Sequence, residues 1–127
     1  MSGDSAFERV EFGAGSIIFK EGDDADDAYL IEGGTVEIAM RSKHERRIVV
    51  NELGRGDLFG EMALISGGKR MASAVAVSNV NVIVVSRTLF EEKLTTMDPV
   101  MARVLKTLTR KLTLMSQRHV EELAKIR

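Results

Sequence analysis

In TVEIAMR (35–41), Val36, Ile38 and Met40 alternate with Glu37, Ala39 and Arg41, the period-two pattern of a half-buried strand. Short runs rich in Val and Ile recur at SIIFK (16–20), AYLIE (28–32), RRIVVNEL (46–53), MASAVAV (71–77) and VNVIVVS (80–86), and each predicts a strand. Glycines punctuate them at Gly13, Gly15, Gly22, Gly33, Gly34, Gly54, Gly56, Gly60, Gly67 and Gly68. Turn signals at roughly eight- to twelve-residue intervals leave no room for crossover helices, so the pattern predicts an antiparallel sandwich or barrel.

After Ser86 the pattern changes. Arg87 to Arg127 contains no glycine and a single proline, Pro99. RTLFEEKLTTM (87–97) reads as a helix, and Asp98-Pro99 supplies the N-cap and first position of a second one. That second helix carries Met101, Leu105, Leu108, Leu112 and Met115 at steps of three and four, an apolar stripe. Such a stripe either lies on the β-rich body or forms a dimer seam or ligand lid. The whole chain, 1–127, reads as a single domain, with a β-rich body over about 1–86 and helices over 87–127.

Composition narrows the function. A length of 127 residues supports one core. With 29% charged residues and a net charge of -1, there is no basic stripe to meet nucleic acid. Cysteine is absent and histidine occurs only twice, at His44 and His119, so neither a metal site nor a catalytic centre is expected. Apolar runs are no longer than about five residues and MSGDSAFERV lacks a signal-peptide core, which predicts a soluble, cytoplasmic protein with no membrane segment. GDDADD (22–27) lacks the ligand spacing of a calcium loop and reads as a solvated acidic turn. The seven methionines read as core fillers, and His44 as an exposed turn residue.

One segment breaks the strand pattern. In GDLFGEMALISGG (56–68), Gly60 frees the backbone and Glu61 to Ile65 favour about one helical turn before Gly67-Gly68 end it. A turn that starts at glycine offers backbone N–H groups at Glu61, Met62 and Ala63 to an anion. Arg70, returned by the diglycine loop, adds a planar fork matched to phosphate oxygens. Glu61 repels a bare phosphate but suits a ligand that carries a hydroxyl beside its phosphate, as a sugar phosphate does.

Phe59-Gly60-Glu61-Met62-Ala63-Leu64-Ile65, the loop Ser66-Gly67-Gly68, and Lys69-Arg70-Met71-Ala72-Ser73-Ala74 resemble the phosphate-binding cassette of the cyclic nucleotide-binding domain family. GSIIFKEGDDADDAYLIEGGTVEI and LGRGDLFGE resemble the strands that lead into that cassette, so the resemblance covers nearly the whole chain. It implies a mainly β fold, an eight-stranded antiparallel jelly-roll-like β-roll with flanking C-terminal helices. It further implies that Arg70 binds a cyclic phosphate and Glu61 a ribose 2′-hydroxyl, with Gly60, Met62, Ala63 and Met71 contributing mainly backbone. Residues around Val50 and Asn51 are implied to pack on the base, with Met115 and Ser116 on the last helix as base-side lid residues. Ser73 offers a further hydroxyl.

Two positions depart from the family pattern: Lys69 replaces its usual proline, and Met71 replaces a Ser, Ala or Thr. Threonine at that place is associated with cGMP, and methionine lacks its hydroxyl, so cAMP is the implied ligand, with cGMP as the other possibility. Along the last helix the chain also resembles bacterial catabolite activator proteins and, in FGEMALISG, cyclic-nucleotide-gated channels. It ends where the DNA-binding element of the former would begin. The expectation is a non-enzymatic cyclic nucleotide sensor that signals through its C-terminal helices and could dimerise through them. The rival is a ligand-free interaction module that keeps the same fold.

Overall fold

The computed structural model describes residues 7–41, 44–64 and 67–125. Eight strands precede two helices: β1 (Glu8–Phe12), β2 (Ile17–Phe19), β3 (Asp27–Gly33), β4 (Val36–Arg41), β5 (Arg47–Leu53), β6 (Leu58–Phe59), β7 (Ser73–Ala76) and β8 (Val80–Ser86), then α1 (Arg87–Thr96) and α2 (Pro99–Lys125). They form two four-stranded antiparallel sheets, ordered β1-β8-β3-β6 and β2-β7-β4-β5. The eight-stranded antiparallel roll with C-terminal helices therefore stands as expected.

Alternation builds the core. On β7, Ala74 and Ala76 point inward while Ser73 and Val75 face out. They meet Ile31, Val36, Phe59, Val80 and Val82, with Phe19, Tyr29, Ile38 and Leu53 packed around them. Six of the strands coincide with the hydrophobic runs, whereas β1 and β6 do not. β1 (ERVEF) is mostly charged, yet it pairs with β8 from Glu8 opposite Val84 to Phe12 opposite Val80, which lays Val10 and Phe12 on the core. β6 is only two residues long, too short to show a period.

On β4 the simple alternation fails, because Ala39 is buried as well as Val36 and Met40. The β4–β5 register passes from Ile38 opposite Asn51 to Ala39 opposite Val49, so Val50 is the extra residue of a β-bulge. Three of the seven methionines, Met97, Met101 and Met115, are exposed rather than core fillers. His44 is exposed, as expected.

Helix boundaries follow the capping chemistry. The Ser86 hydroxyl accepts from the Leu89 N–H (3.1 Å), and the Asp98 carboxylate accepts from the N–H groups of Val100 (2.9 Å) and Met101 (3.2 Å). Both helices pack against the turn that follows β6. Among the described residues, no helix is long and apolar enough to cross a membrane.

Gly34, at φ +92°, holds the β3–β4 turn against the next hairpin, where an added Cβ would lie 2.2 Å from the Asn79 carbonyl oxygen and 2.8 Å from the Val80 Cα. Backbone cannot yield there as a flexible side chain can. Gly34→Ala is expected to cost about 1–3 kcal/mol of stability through forced backbone strain, read as a lower denaturant midpoint.

Candidate functional site

Gly60 opens the site. At φ +75° it turns the chain out of β6 into a 3-10 turn, Glu61–Leu64, tighter than the α-helical turn its residues favour. The Ala63 N–H donates back to the Gly60 carbonyl (3.1 Å), so of the N–H groups expected to face an anion this one is already spent. Ala63 itself is fully buried. Glu61, first in the turn, is half-buried. Burial pushes its carboxyl above the usual range, opposed by a hydrogen bond from its own backbone N–H and by the Arg70 charge.

Arg70 is only 7% exposed. Its Nη2 donates to the Asp27 carbonyl (2.8 Å) and its Nη1, at 3.4 Å, to that of Gly60. The guanidinium carbon lies 4.0 Å from the centre of the Phe19 ring. Its Nε is buried with no hydrogen-bond partner. Burial lowers the Arg70 pKa, while Tyr29 and then Asp27 act to raise it. Gly60 is needed here too, since a Cβ would sit 2.8 Å from Arg70 Nη1.

GDDADD is solvated at Gly22, Asp23, Asp24 and Asp26, as expected, but its backbone is tied to the cassette and its buried Ala25 lines the site. Gly22 N–H donates to the Arg70 carbonyl (2.8 Å), Arg70 N–H to that of Asp23 (2.7 Å), and Ala25 N–H to that of Gly68 (2.9 Å). The Lys69 ammonium adds an ion pair to Asp24 (2.5 Å), which lowers the pKa of the aspartate and raises that of the lysine. Lys69, where a proline is usual, thus straps the cassette to the acidic segment.

A cavity of about 170 Å³ collects Gly60, Glu61, Met62, Arg70, Met71 and Asn51 on one wall. Phe19, Ala25, Ile38, Leu53, Leu58 and Phe59 supply an apolar lining; they lie in the stretches that carry the resemblance, but were not singled out there as site residues. Asn51 holds its own chain, its Oδ1 accepting from the Glu52 N–H (2.9 Å). Four expected residues, Val50, Ala63, Ser73 and Met115, do not line it. Val50 sits in the bulge outside the cavity lining. Ser73 faces the other side of its sheet, where its hydroxyl accepts from the Glu21 N–H (2.9 Å). Met115 is 66% exposed on α2. The Ser116 side chain lies outside the described residues.

A wider groove of about 730 Å³ runs over the outer face of the β2-β7-β4-β5 sheet. Its rim charges already bind one another: Arg41 pairs with Glu45 (3.0 Å), its N–H donates to Glu21 (3.0 Å), and Arg47 pairs with Glu37. It has no glycine-led turn, and the buried donor without a partner, Arg70 Nε, does not line it. Among the described residues no group of acidic, histidine or cysteine side chains could hold a metal ion.

A double-sheet β-roll that holds one buried arginine and one carboxylate on a glycine-led turn, beside an apolar wall, defines a binding module for a small anionic ligand with an apolar part. The match to the cyclic nucleotide-binding domain model runs over residues 9–97, and the chain belongs to that family. It is 33% identical over 98 residues to a cAMP-dependent protein kinase regulatory subunit of Pyricularia oryzae, covering 77% of this chain and 24% of that protein. Among solved structures, the cAMP-bound form of the EAL enzyme Bd1971 aligns with TM-score 0.67 and 35% identity, over 91% of this chain and 32% of that one. The catabolite activator protein of Thermus thermophilus aligns with TM-score 0.77 and 29% identity, over 93% of this chain and 55% of that one. The chain thus spans about a quarter of the regulatory subunit it matches (24%).

Proposed function

We propose that this domain, acting as one unit over 1–127, is a cytoplasmic, non-enzymatic sensor of cAMP. The observation that carries this reading is Arg70, nearly buried, with an unpartnered Nε, on the wall of the cavity that Glu61 also lines. A cyclic phosphate gives that arginine its partner, and the ribose 2′-hydroxyl gives Glu61 a donor. The purine meets Ile38, Leu53, Leu58 and Met71, with Asn51 at its edge. Support also comes from relatives that are named for cAMP. Bd1971 has been solved in a cGMP-bound form as well, and the absence of a hydroxyl at Met71 is what favours cAMP here.

Calorimetric titration with cAMP and with cGMP tests the reading. Saturable heat with cAMP, and weaker binding of cGMP, is the expected result. No heat with either at high micromolar ligand returns the fold to the rival role of a ligand-free interaction module. Conversion of cAMP to AMP during the same incubation would make the protein a hydrolase.

Signal output is proposed to pass through α1 and α2, which pack against the 3-10 turn and shift as the ligand engages it. Met115 and Ser116 reach the base only after such a shift. The α2 stripe is proposed as a homodimer seam. Leu108 and Leu112 are 54% and 60% exposed, and with Met101, Leu105 and Met115 they keep the heptad steps of a coiled coil. Leu108→Asp with Leu112→Asp is expected to convert a dimer into a monomer in sedimentation velocity. A wild-type monomer, or an unchanged dimer in the variant, would sink the seam.

A further inference from the structure

Cation recognition by aromatic rings follows from the ring quadrupole, which attracts a guanidinium lying on its face. Phe19 comes from β2 in one sheet, whereas Tyr29 and Phe59 come from β3 and β6 in the other, where they are directly opposed cross-strand partners. The three rings form one cluster: Tyr29 stacks on Phe59 with centroids 5.1 Å apart, and Phe19 stands 5.9 Å from each. The Arg70 guanidinium lies on this cluster, 4.0 Å from Phe19 and 5.8 Å from Tyr29. It donates to two backbone carbonyls, of Asp27 and Gly60, and the Tyr29 side chain is a further polar neighbour. No carboxylate makes a hydrogen bond or ion pair with it among the described residues. The rings and carbonyls therefore set the plane of the guanidinium, and they do so without using Nε.

We infer that Phe19 is a positioning residue for anion recognition: its ring fixes the Arg70 guanidinium so that the Nε edge is kept for the ligand's phosphate. This rests on the reading of the site as a cyclic nucleotide pocket. An aromatic face suits the task better than a carboxylate. A carboxylate in the same place would bind the arginine directly and compete with the phosphate, while a ring holds the cation and leaves its donors unspent. Leucine fills much of the same volume and has no quadrupole, so it separates packing from positioning.

The test uses the full chain with Phe19→Leu and, as the reference for a lost phosphate contact, Arg70→Ala. Binding of cAMP and of its two phosphorothioate diastereomers is measured by calorimetry, with thermal melting as the control for folding. The diastereomers differ in which exocyclic phosphate oxygen is replaced by sulfur, so an arginine fixed in one place prefers one of them. Phe19→Leu is expected to weaken cAMP about tenfold, or about 1.4 kcal/mol, and to bring the diastereomer affinities toward equality. Wild-type affinity in Phe19→Leu overturns the inference. So does an affinity loss that leaves the diastereomer ratio unchanged, which marks a structural role only, and so does a wild-type protein that binds both diastereomers equally. If Phe19→Leu does not fold, Phe19→Met replaces it under the same criteria. Failure of the pocket reading itself looks different: the wild type binds no cAMP, or Arg70→Ala binds it as the wild type does.

Discussion

Arg70→Ala is expected to weaken cAMP binding by a factor of about one hundred, close to 3 kcal/mol, measured by calorimetry. The size follows from the environment. A charge-assisted hydrogen bond to a phosphate is worth about twice a neutral one, and leaving the anion in a nearly buried site without its cation adds a desolvation cost. Arg70 is 7% exposed and has an unpartnered Nε, so little water competes for that contact. Arg70→Lys should recover part of the affinity, since it keeps the charge and loses the planar fork. Alanine also removes a side chain that packs between Phe19 and the carbonyls of Gly60 and Asp27, so melting is followed in parallel. A folded Arg70→Ala variant with unchanged affinity would rule out the phosphate assignment.

Glu61→Gln is the second large effect and separates by ligand. Affinity for cAMP is expected to fall by roughly tenfold, while affinity for 2′-deoxy-cAMP changes little, because the carboxylate's partner is the hydroxyl that the analogue lacks. Equal losses for the two ligands would remove the ribose role. pH supplies an independent reading. Burial raises the Glu61 pKa above the usual carboxylate range. The folded state then holds the proton more tightly than the unfolded chain. Between the unfolded and the raised folded pKa, this group's contribution to stability falls as pH rises, and at neutral pH the ionised carboxylate is a net cost. Ligand affinity runs the other way, because the ionised acceptor is lost as pH drops through the raised pKa. The wild type should thus bind cAMP more weakly in mild acid, and Glu61→Gln should remove that dependence and melt slightly higher at neutral pH.

How much of the site could be read along the chain depends on how local its parts are. Gly60, Glu61 and Arg70 lie within one short segment whose spacing is set by a turn and a diglycine loop, and the structure brings them together. The turn itself was less legible. A 3-10 geometry spends the Ala63 N–H on Gly60, which helix propensity does not reveal. Ser73 offers a hydroxyl near the cassette in sequence, but period-two alternation on β7 turns it to the opposite face from Ala74. The composition of GDDADD suggested only a solvated turn, whereas its backbone is paired with Gly68 and Arg70.

Residue order alone was enough for what depends on near neighbours: the places of six strands, the cap at Asp98, the glycine-led turn and the reach of Arg70 back to it. Tertiary structure decided what depends on distant segments meeting. Phe19 and Tyr29 belong to different sheets, and only the closing of the roll places both rings beside Arg70. β1 gains its place from pairing with β8 rather than from its own composition. Val50 leaves the site because the bulge opposite Ile38 and Ala39 shifts β5 by one residue. Burial and register are properties of the paired sheets, and a side chain's chemistry at Arg70 is set by neighbours that no local pattern names.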